Sequence, residues 1–298
     1  MKIKIMNKKR TKIIILSAIG IVLVLLVVWM AWGNSALELN LYSVASSSLP
    51  KAFDGFRIAH ISDLHNTEMG KDNEKLISML AEAEPDIIVI TGDMIDSRNT
   101  KVDIALKFAE QAVRIAPCYY VAGNHEARVE EYIDLKEGLM ERGVTVLEDE
   151  KVEIEHMGES VVLVGVTDPS FETDYLLGDN EAIMKSKLKE LVKEEDGYII
   201  LLSHRPELFD SYVDNDVDLV FSGHAHGGQF RIPFIGGIVA PNQGVFPKYD
   251  AGVFTEDNTN MVVSRGVGNS IIPLRVNNRP EVVLVELEYI AYKCELTK

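Results

Sequence analysis

Residues 56–65 read FRIAHISDLH, and residues 86–93 read DIIVITGD. In each stretch an apolar run typical of a buried strand ends in a loop that carries an acidic residue. The pattern returns at residues 118–126, CYYVAGNHE, and twice more where Ser203-His204 and Gly223-His224-Ala225-His226 follow apolar runs. We therefore expect several strands to end in loops that bring Asp, Asn and His side chains to one edge of a sheet.

Helical patterns alternate with strand patterns through the first half of the chain, and strands dominate the last third. This order predicts an α/β fold in which a two-sheet β-sandwich is flanked by helices. Ligands of open α/β sheets gather beyond the carboxyl ends of the strands, where all five motifs fall. The predicted helices cover residues 73–83, 102–115, 126–142 and 180–195, with a short one after Pro206. The predicted strands cover residues 36–44, 56–61, 86–91, 118–122, 144–147, 152–156, 161–166, 198–203, 219–222 and 282–287.

An apolar run of 20 residues without charge occupies residues 13–32. As a helix it would span about 30 Å, the thickness of the hydrocarbon core of a bilayer. A cleaved signal peptide is the alternative, although its apolar core is usually shorter, about 7–15 residues. Because basic side chains flank a span on its cytoplasmic side, we predict a basic cytoplasmic tail at residues 1–12. We also predict a single-pass transmembrane anchor at residues 13–32 and one extracytoplasmic domain at residues 33–298.

The charge of the chain is uneven. The total formal charge is −16. Residues 1–32 contain six basic and no acidic side chains and so contribute +6, which means that residues 33–298 carry −22. An acidic body repels nucleic acid phosphates, and we therefore expect no nucleic acid partner and no nuclease activity. The two cysteines are Cys118, expected to be a small buried side chain, and Cys294; a disulfide between them is the less favoured alternative.

The motif loops supply a mixed set of oxygen and nitrogen ligands. A carboxylate can bridge two cations and an imidazole cannot, so Asp93 is the natural bridging ligand. Two divalent ions would clamp a phosphoryl group and acidify a bridging water into the hydroxide that attacks phosphorus. The ligand set suits Mn, Fe, Zn or Co better than Mg or Ca alone, and the identity of the two ions stays open. The candidate metal ligands are Asp63, His65, Asp93, Asn124, His204, His224 and His226.

Two further residues are candidates for catalysis. His125 is adjacent to Asn124 and is predicted to protonate the leaving group, with Asp96 orienting the imidazole. By contrast, His60 lies inside an apolar strand and His156 on an alternating strand. Both are expected to be structural.

The order Asp-x-His, Gly-Asp-x-x-Asp, Gly-Asn-His-Glu, His and Gly-His-x-His resembles the calcineurin-like metallophosphoesterase superfamily. Further motifs narrow the resemblance to one branch of this superfamily. They are GHAHGGQ at residues 223–229 and the closing pattern SRGVG at 264–268, PLR at 273–275 and RPEV at 279–282. They look like the bacterial membrane-associated branch that includes UDP-2,3-diacylglucosamine pyrophosphatase-like phosphodiesterases. The resemblance covers about residues 36–288.

The resemblance implies a double-sheet fold with two metal ions. One ion would be held by Asp63, His65, Asp93 and His226, and the other by Asp93, Asn124, His204 and His224. The phosphatase relatives place Arg directly after the second Asp of Gly-Asp-x-x-Asp. Here Ser97 takes that position and Arg98 follows, which makes a phosphate clamp by Arg98 and strict monoesterase activity less expected.

The sequence thus predicts a membrane-anchored phosphoesterase that hydrolyses a phosphodiester or pyrophosphate bond. A lipid-linked or cell-envelope molecule is one candidate substrate class, because tethering raises the local concentration of the enzyme near the bilayer. The alternative is a non-catalytic metal-binding scaffold of the same fold. Gln229, Arg265 and Arg275 are candidate substrate contacts or buried structural residues. The sequence indicates neither the natural substrate nor the oligomeric state.

Overall fold

The computed structural model describes residues 2–172, 179–193, 195–269 and 272–291. Cys294 lies outside these residues, whereas Cys118 is buried with a free thiol. Within the described residues, six helices flank or precede the sheets. They are α1 (Lys2–Ser35), α2 (Glu74–Ala83), α3 (Val102–Ala112), α4 (Tyr132–Glu141), α5 (Asn180–Leu191) and α6 (Phe209–Val213).

In the part of the chain that the structure describes, the strands form two six-stranded mixed sheets and two short ribbons. In chain order they are β1 (Glu38–Ser46), β2 (Arg57–Ile61), β3 (Ile87–Thr91), β4 (Cys118–Val121), β5 (Thr145–Val146), β6 (Glu150–His156), β7 (Glu159–Gly165), β8 (Ile199–Leu202), β9 (Leu219–Ser222), β10 (Arg231–Ile232), β11 (Gly236–Gly237), β12 (Val239–Ala240), β13 (Gly244–Val245), β14 (Gly252–Glu256), β15 (Thr259–Val263) and β16 (Glu281–Tyr289).

The first sheet has the strand order β1-β16-β2-β3-β4-β5, and β2 to β5 run parallel. The second has the order β14-β15-β9-β8-β7-β6, in which the four inner strands run parallel and the two edge strands run antiparallel to their neighbours. The parallel strands are nearly continuous apolar runs because both of their faces are covered.

Strand β3 shows how both faces are buried. Successive side chains of a strand point to opposite faces. Accordingly, Ile88 and Ile90 pack in the core under α2, α3 and α4, while Ile87 and Val89 pack in the core between the sheets. The second sheet repeats this division, with its outer face covered by α5 and α6. The predicted sandwich with flanking helices is confirmed.

Helix α1 is the described helix that is long and apolar enough to cross a membrane by length and composition. Its side chains from Ile13 to Val28 are exposed to solvent, which is costly in water for so large an apolar surface. The structure therefore contains a candidate span where the sequence predicted one.

One predicted helix differs from the structure. The pattern predicted a helix over residues 126–142, but α4 begins at Tyr132 and only a short 3-10 turn, Glu126–Arg128, precedes it. Val129 has extended backbone angles and separates the two. The physical reason is that Glu126 turns inward to serve as a hydrogen-bond acceptor for other loops, which is described below.

Candidate metal centre

The motif loops meet where the carboxyl ends of the two sheets converge. Asp63 and His65 follow β2, Asp93 follows β3 and Asn124 follows β4, all strands of the first sheet. His204 follows β8 in the second sheet. His224 and His226 follow β9 in the same sheet. Residues distant in sequence are thus brought into one buried cluster, as the parallel topology predicts.

Two groups of ligand atoms lie side by side in this cluster. Asp63, His65 and His226 form the first, in which Nε2 of His226 lies 3.2 Å from Oδ1 of Asp63 and 3.2 Å from Nε2 of His65. The second contains His204 and Asp93, with Nε2 of His204 3.2 Å from Oδ2 of the carboxylate. Each group holds its ligand atoms within the few ångströms that one cation requires.

The second group is completed by His224, and Asp93 stands between the groups. Nδ1 of His224 lies 3.2 Å from Nε2 of His204. Oδ2 of Asp93, which contacts His204, is also 3.5 Å from Nε2 of His65 in the first group. The same carboxylate oxygen therefore faces both groups.

The donor set fits divalent cations. Oδ1 of Asp63 and Oδ1 of Asn124 are buried and accept no hydrogen bond. Leaving a buried acceptor unsatisfied costs about 1–3 kcal/mol, so such atoms call for a partner. Within each group, imidazole nitrogens also face one another at 3.2 Å. Cations between these atoms would satisfy oxygen and nitrogen lone pairs alike.

Hydrogen bonds behind the ligands set which ring nitrogen faces the cluster. Nδ1 of His204 lies 2.6 Å from the carbonyl oxygen of Thr91, which can only accept, so Nδ1 carries the proton. Nε2 of His224 lies 3.0 Å from Oδ1 of Asn242, leaving Nδ1 unprotonated toward the cluster. This orientation by a second layer of partners is typical of metal-binding histidines.

Burial and charge shape the titration of the cluster. Burial lowers the pKa of His226 to about 3, which keeps this imidazole neutral and able to ligate. Burial also opposes protonation of His204, but the Asp93 carboxylate outweighs it and raises the pKa of His204 to about 10. Burial likewise opposes ionisation of Asp63, yet the neighbouring imidazoles of His226 and His65 hold the pKa of its carboxyl well below the usual range.

The ligand backbone is strained. A left-handed conformation costs a non-glycine residue about 1–2 kcal/mol and is found where surrounding structure imposes it, often at functional sites. Five candidate ligands have positive φ, between 43° and 63°: Asp63, His65, Asp93, His224 and His226.

Glycines allow the loops to approach closely. Gly92 has φ of +82°, and a Cβ there would lie 2.4 Å from the backbone nitrogen of Gly123. At Gly223 a Cβ would lie 1.9 Å from Oγ of Ser62 and 2.4 Å from Oδ2 of Asp63. Any side chain at either position would displace a ligand-bearing loop.

His125 is held by a partner that the sequence did not predict. Its Nδ1 accepts a hydrogen bond from the backbone N–H of Ser97 at 3.0 Å, with Oγ of Ser97 at 3.2 Å. Because a backbone N–H can only donate, the neutral imidazole carries its proton on Nε2, which lies 4.0 Å from Oδ2 of Asp93. A proton on Nε2 is available on the side of the ring that faces the cluster.

Asp96 is placed differently from the expectation. Its Oδ1 lies 3.8 Å from Nδ1 of His125, beyond hydrogen-bond distance. Instead the carboxylate binds Arg98, with Nε–Oδ1 at 2.9 Å and a second contact to Oδ2 at 2.5 Å. Ser97 separates the two residues, which lets its own N–H reach His125 while Arg98 folds back onto Asp96.

The three predicted substrate residues bind other parts of the chain. Nε2 of Gln229 donates to the carbonyl oxygens of Ile272 and Leu274 at 2.8 and 2.6 Å. Arg265 pairs with Glu281 at 2.7 Å, and Arg275 is buried with a donor 2.8 Å from the carbonyl oxygen of Arg265. These contacts join the closing segment to the metal-bearing loops. Substrate contact by any of the three stays a prediction.

Glu126 is a residue that sequence reasoning quoted but gave no role. Its buried carboxylate accepts the backbone N–H groups of Asp93 at 2.8 Å, Gly123 at 2.8 Å and Ile95 at 3.2 Å. Burial, followed by the charge of Asp93, raises its pKa to about 7. One side chain thus fixes the loops after β3 and β4 to each other. Its inward position after Gly-Asn-His was the available signal.

A buried ion pair behind His224 was also missed. Arg205 is fully buried and binds Asp168 through two contacts, at 2.5 and 2.9 Å. Its other terminal nitrogen lies 3.5 Å from Nε2 of His224. The available signal was that Asp168 follows a parallel strand, as the ligands do, and that Arg205 directly follows His204.

The two histidines expected to be structural lie apart from the ligand groups. Nε2 of His60 lies 2.7 Å from Oγ1 of Thr91 within the sheet, and burial lowers the pKa of His60 to about 3. The ring of His156 packs against Phe53 and Phe56, with centroids 5.5 and 5.1 Å away.

Comparison with known proteins agrees with this geometry. The family model described as "Calcineurin-like phosphoesterase" matches residues 56–228. The chain is 31% identical over 260 residues to the uncharacterized metallophosphoesterase YkuE of Bacillus subtilis, covering 85% of this chain and 86% of that protein. It is 28% identical to the phosphodiesterase YaeI of Escherichia coli, covering 78% of this chain and 82% of the relative.

A vertebrate relative carries a membrane term in its name. The transmembrane protein with metallophosphoesterase domain of Danio rerio is 27% identical, and the match covers 80% of this chain and 55% of that protein. The family match spans more than half of the chain and contains all seven candidate ligands. The chain therefore belongs to the calcineurin-like phosphoesterase family and is a metal-dependent phosphoester hydrolase.

Proposed function

We propose that this protein is a membrane-anchored phosphodiesterase with a dinuclear metal centre. The observation that carries the proposal is the position of Asp93, whose Oδ2 lies within 3.5 Å of an imidazole nitrogen from each ligand group. A carboxylate so placed is suited to bridge two cations, and two cations are the arrangement that favours in-line displacement at phosphorus.

One ion would be held by Asp63, His65 and His226, the other by Asn124, His204 and His224, with Asp93 between them. When bound, the ion pair would supply Lewis-acid charge to the phosphoryl oxygens and lower the pKa of the attacking water. Manganese, iron, zinc and cobalt all suit this set of ligands.

His125 is the proton donor in this proposal. The hydrogen bond from Ser97 directs the ring so that Nε2–H points toward the cluster. Burial, partly offset by Asp93, lowers the pKa of His125, which makes its imidazolium a stronger acid; that protonated form would give its Nε2 proton to the leaving alkoxide and return to the neutral ring. Asp96 would act on His125 through charge at 3.8 Å and not through a direct hydrogen bond.

The charges around the site favour a diester over a monoester. A monoester is a dianion and benefits from an additional cationic clamp, whereas a diester carries a single charge. Arg98 and Arg205, two guanidinium groups close to the site, are each paired with a carboxylate, Asp96 and Asp168 respectively. The name of the relative YaeI, a phosphodiesterase, points the same way.

Helix α1 supports the proposed location. Its apolar length and the basic residues before it support an anchor with the catalytic domain on the extracytoplasmic side. The name of the Danio rerio relative also supports a membrane setting. A diester or pyrophosphate of a lipid-linked or cell-envelope molecule is the substrate class that such an anchor would serve.

The test uses the full chain in detergent with Mn²⁺ and two aryl substrates, bis(p-nitrophenyl) phosphate and p-nitrophenyl phosphate. We expect metal-dependent hydrolysis that favours the diester, and a loss of at least about a hundredfold in kcat for His125→Ala. His156→Ala is the matched control, because this histidine packs outside the clusters, and it should retain activity.

Two results would overturn the proposal. Diester hydrolysis that survives Asp93→Ala or His125→Ala would remove the assigned centre from the reaction. Metal binding without turnover of diester, monoester or pyrophosphate substrates would instead favour the non-catalytic scaffold.

A further inference from the structure

Two β-ribbons beside the metal centre expose an unusual amount of apolar surface. The first, β10–β11, carries Phe234 and Ile235 at its turn, and Ile235 is 64% exposed while Phe234 is fully exposed. The second, β12–β13, ends in Val245 and Phe246, which are 66% and 61% exposed. Clustered exposed side chains of this size mark a contact surface and not a solvent-facing loop.

The charge of this segment differs from the rest of the domain. Residues 229–249 contain no acidic residue, although residues 33–298 carry −22 in total. Their two basic residues, Arg231 and Lys248, are paired with Asp250 at 2.9 Å and Glu256 at 3.8 Å. Because these pairs are neutral, the exposed apolar side chains of the ribbons are not surrounded by unpaired acidic charge that anionic lipid headgroups would repel. Exposed aromatic and aliphatic side chains without nearby unpaired acidic charge are typical of interfacial membrane contacts.

The root of the first ribbon is joined to the end of α1. The backbone N–H of Arg231 donates to the carbonyl oxygen of Val276 at 3.0 Å. The adjoining residue Arg275 exchanges two hydrogen bonds with the side chain of Asn34, at 2.7 and 2.9 Å. Asn34 lies in the last turn of α1, so the ribbon starts where the candidate span ends.

The end of α1 has the side chains of a membrane interface. Trp29 and Trp32 lie there, where tryptophan is favoured at headgroup level, and the guanidinium of Arg279 lies over the Trp32 ring at 4.9 Å. From Arg231 to Phe234 the chain covers three residues, a reach of about 10 Å. If α1 spans the bilayer, the turn of the first ribbon lies within reach of its surface.

The second ribbon connects this surface to the metal centre. Asn242, at its turn, binds His224 with Oδ1 3.0 Å from Nε2. Val245 and Phe246 follow three and four residues later. The apolar tips and the metal-bearing loops are therefore parts of one connected structure.

We propose that the exposed apolar side chains of the two ribbons, Phe234 and Ile235 in the first and Val245 and Phe246 in the second, insert into the interfacial layer of the bilayer that α1 enters. This second contact fixes the catalytic domain against the lipid and holds the metal centre next to the headgroups. The inference rests on the anchor proposed above. With the proposed activity, it names the substrate class as a phosphodiester presented by the membrane, with its apolar part left in the bilayer.

The test measures lipid contact without any substrate. The full chain with Phe234→Cys and Cys294→Ser is labelled with the environment-sensitive dye NBD and reconstituted into vesicles of equal parts phosphatidylcholine and phosphatidylglycerol. Met157→Cys in the same background is the matched control, since Met157 is 84% exposed in the β6–β7 turn at the other edge of the second sheet. The rate at which aqueous dithionite reduces each dye is then compared, and the Met157→Cys label gives the outward-facing fraction.

We expect the label at residue 234 to be blue-shifted and reduced at least about tenfold more slowly than the label at residue 157, because interfacial burial excludes the reductant. Phe246→Cys, labelled in the same way, should behave like Phe234→Cys. Equal rates at 234, 246 and 157 would overturn the proposal. Protection that disappears below one chain per vesicle would also overturn it, because a second copy of the chain would then be what covers the ribbons. Loss of diester activity would leave these rates unchanged, so the two proposals fail separately.

Discussion

The backbone N–H of Ser97 donates to Nδ1 of His125 over 3.0 Å, in the position where the sequence placed the carboxylate of Asp96. A backbone donor fixes the ring without depending on the residue type at that position. Asp96, bound to Arg98, contributes charge from 3.8 Å. If Asp96 bound His125 directly, substitution of either residue should lower kcat to a similar extent. With the backbone N–H of Ser97 as the partner, substitution of Asp96 should have the smaller effect.

Substitution of Asp96 is accordingly expected to be mild. We expect Asp96→Asn to lower kcat for the diester by less than about tenfold, against about 10²–10⁴ for His125→Ala. Ser97→Ala keeps the N–H and loses only the hydroxyl at 3.2 Å, so it should change kcat by less than about threefold. Steady-state kinetics of the three variants provide the measurement. An Asp96→Asn enzyme as impaired as His125→Ala would show that the carboxylate binds the ring directly.

The buried pair of Arg205 and Asp168 leads to a prediction on stability. Asp168→Ala leaves a fully buried guanidinium with one carboxylate neighbour fewer, and breaking such a pair typically costs about 3–5 kcal/mol. Urea unfolding of the detergent-solubilised chain, followed by circular dichroism, measures the free energy. The matched control is Glu110→Ala, which breaks an exposed pair with Arg114 at 2.7 Å and should cost less than about 0.5 kcal/mol. Equal losses in the two variants would contradict the prediction.

The sequence was sufficient to predict that the candidate ligands lie close together, because each of them follows a strand within a few residues. Parallel strands end at the same edge, so the spacing of Asp63 and Asp93 after their strands predicted their proximity without knowledge of packing. The two-sheet fold followed from the same alternation. The local order of strands and motif loops was therefore enough to predict the two-sheet fold and the proximity of the candidate ligands.

The supporting residues could not be predicted in this way. Asn242 reaches His224 from a short ribbon whose strands have two residues each, too short to produce a periodic pattern. The pairing of Asp168 with Arg205 depends on the loops after β7 and β8, which lie side by side only once the second sheet has formed. Glu126 was misassigned to a helix because its inward turn serves hydrogen-bond donors 31 and 33 residues earlier in the chain.

Glu126 supports the metal centre through three backbone hydrogen bonds. Glu126→Gln replaces one accepting oxygen with an NH₂ group that faces a backbone donor, which costs about 1–3 kcal/mol for each donor left unsatisfied. We also expect Mn²⁺ affinity to fall about 10–100-fold, as for other groups that orient metal ligands. Unfolding and calorimetric titration measure the two effects. Glu130→Gln, an exposed neighbour, should show neither, and normal Mn²⁺ affinity in Glu126→Gln would contradict the role.

Cys118 is predicted to be unreactive in the folded chain. Burial raises the pKa of its thiol to about 12, so at pH 8 only about one molecule in ten thousand carries the reactive thiolate. Raising the pH from 7 to 9 should therefore leave alkylation by iodoacetamide slow. With Cys294→Ser as background, mass spectrometry should find Cys118 modified in urea and unmodified without it. Rapid modification of the folded chain would show that the β4 core opens readily, and it would also disqualify Cys118 as a silent background for dye labelling.

Metal content tests whether Asp93 serves both ligand groups. A residue that contacts one group, His226, should affect one ion, so His226→Ala is expected to retain about one Mn²⁺ per chain where the unaltered protein binds about two. Asp93→Ala removes the only described carboxylate oxygen that lies within 3.5 Å of a ligand nitrogen in each group, and should leave no tightly bound ion. The loss of metal binding should also remove the stabilisation by added Mn²⁺, because a ligand at about a hundred times its Kd stabilises the folded state by about 2.7 kcal/mol. Elemental analysis after gel filtration gives the stoichiometry, and the shift of Tm with added Mn²⁺ gives the stability, with His156→Ala as the matched control. If Asp93→Ala kept one ion and His226→Ala kept none, the shared ligand would lie in the first group, and the assignment of Asp93 would be wrong.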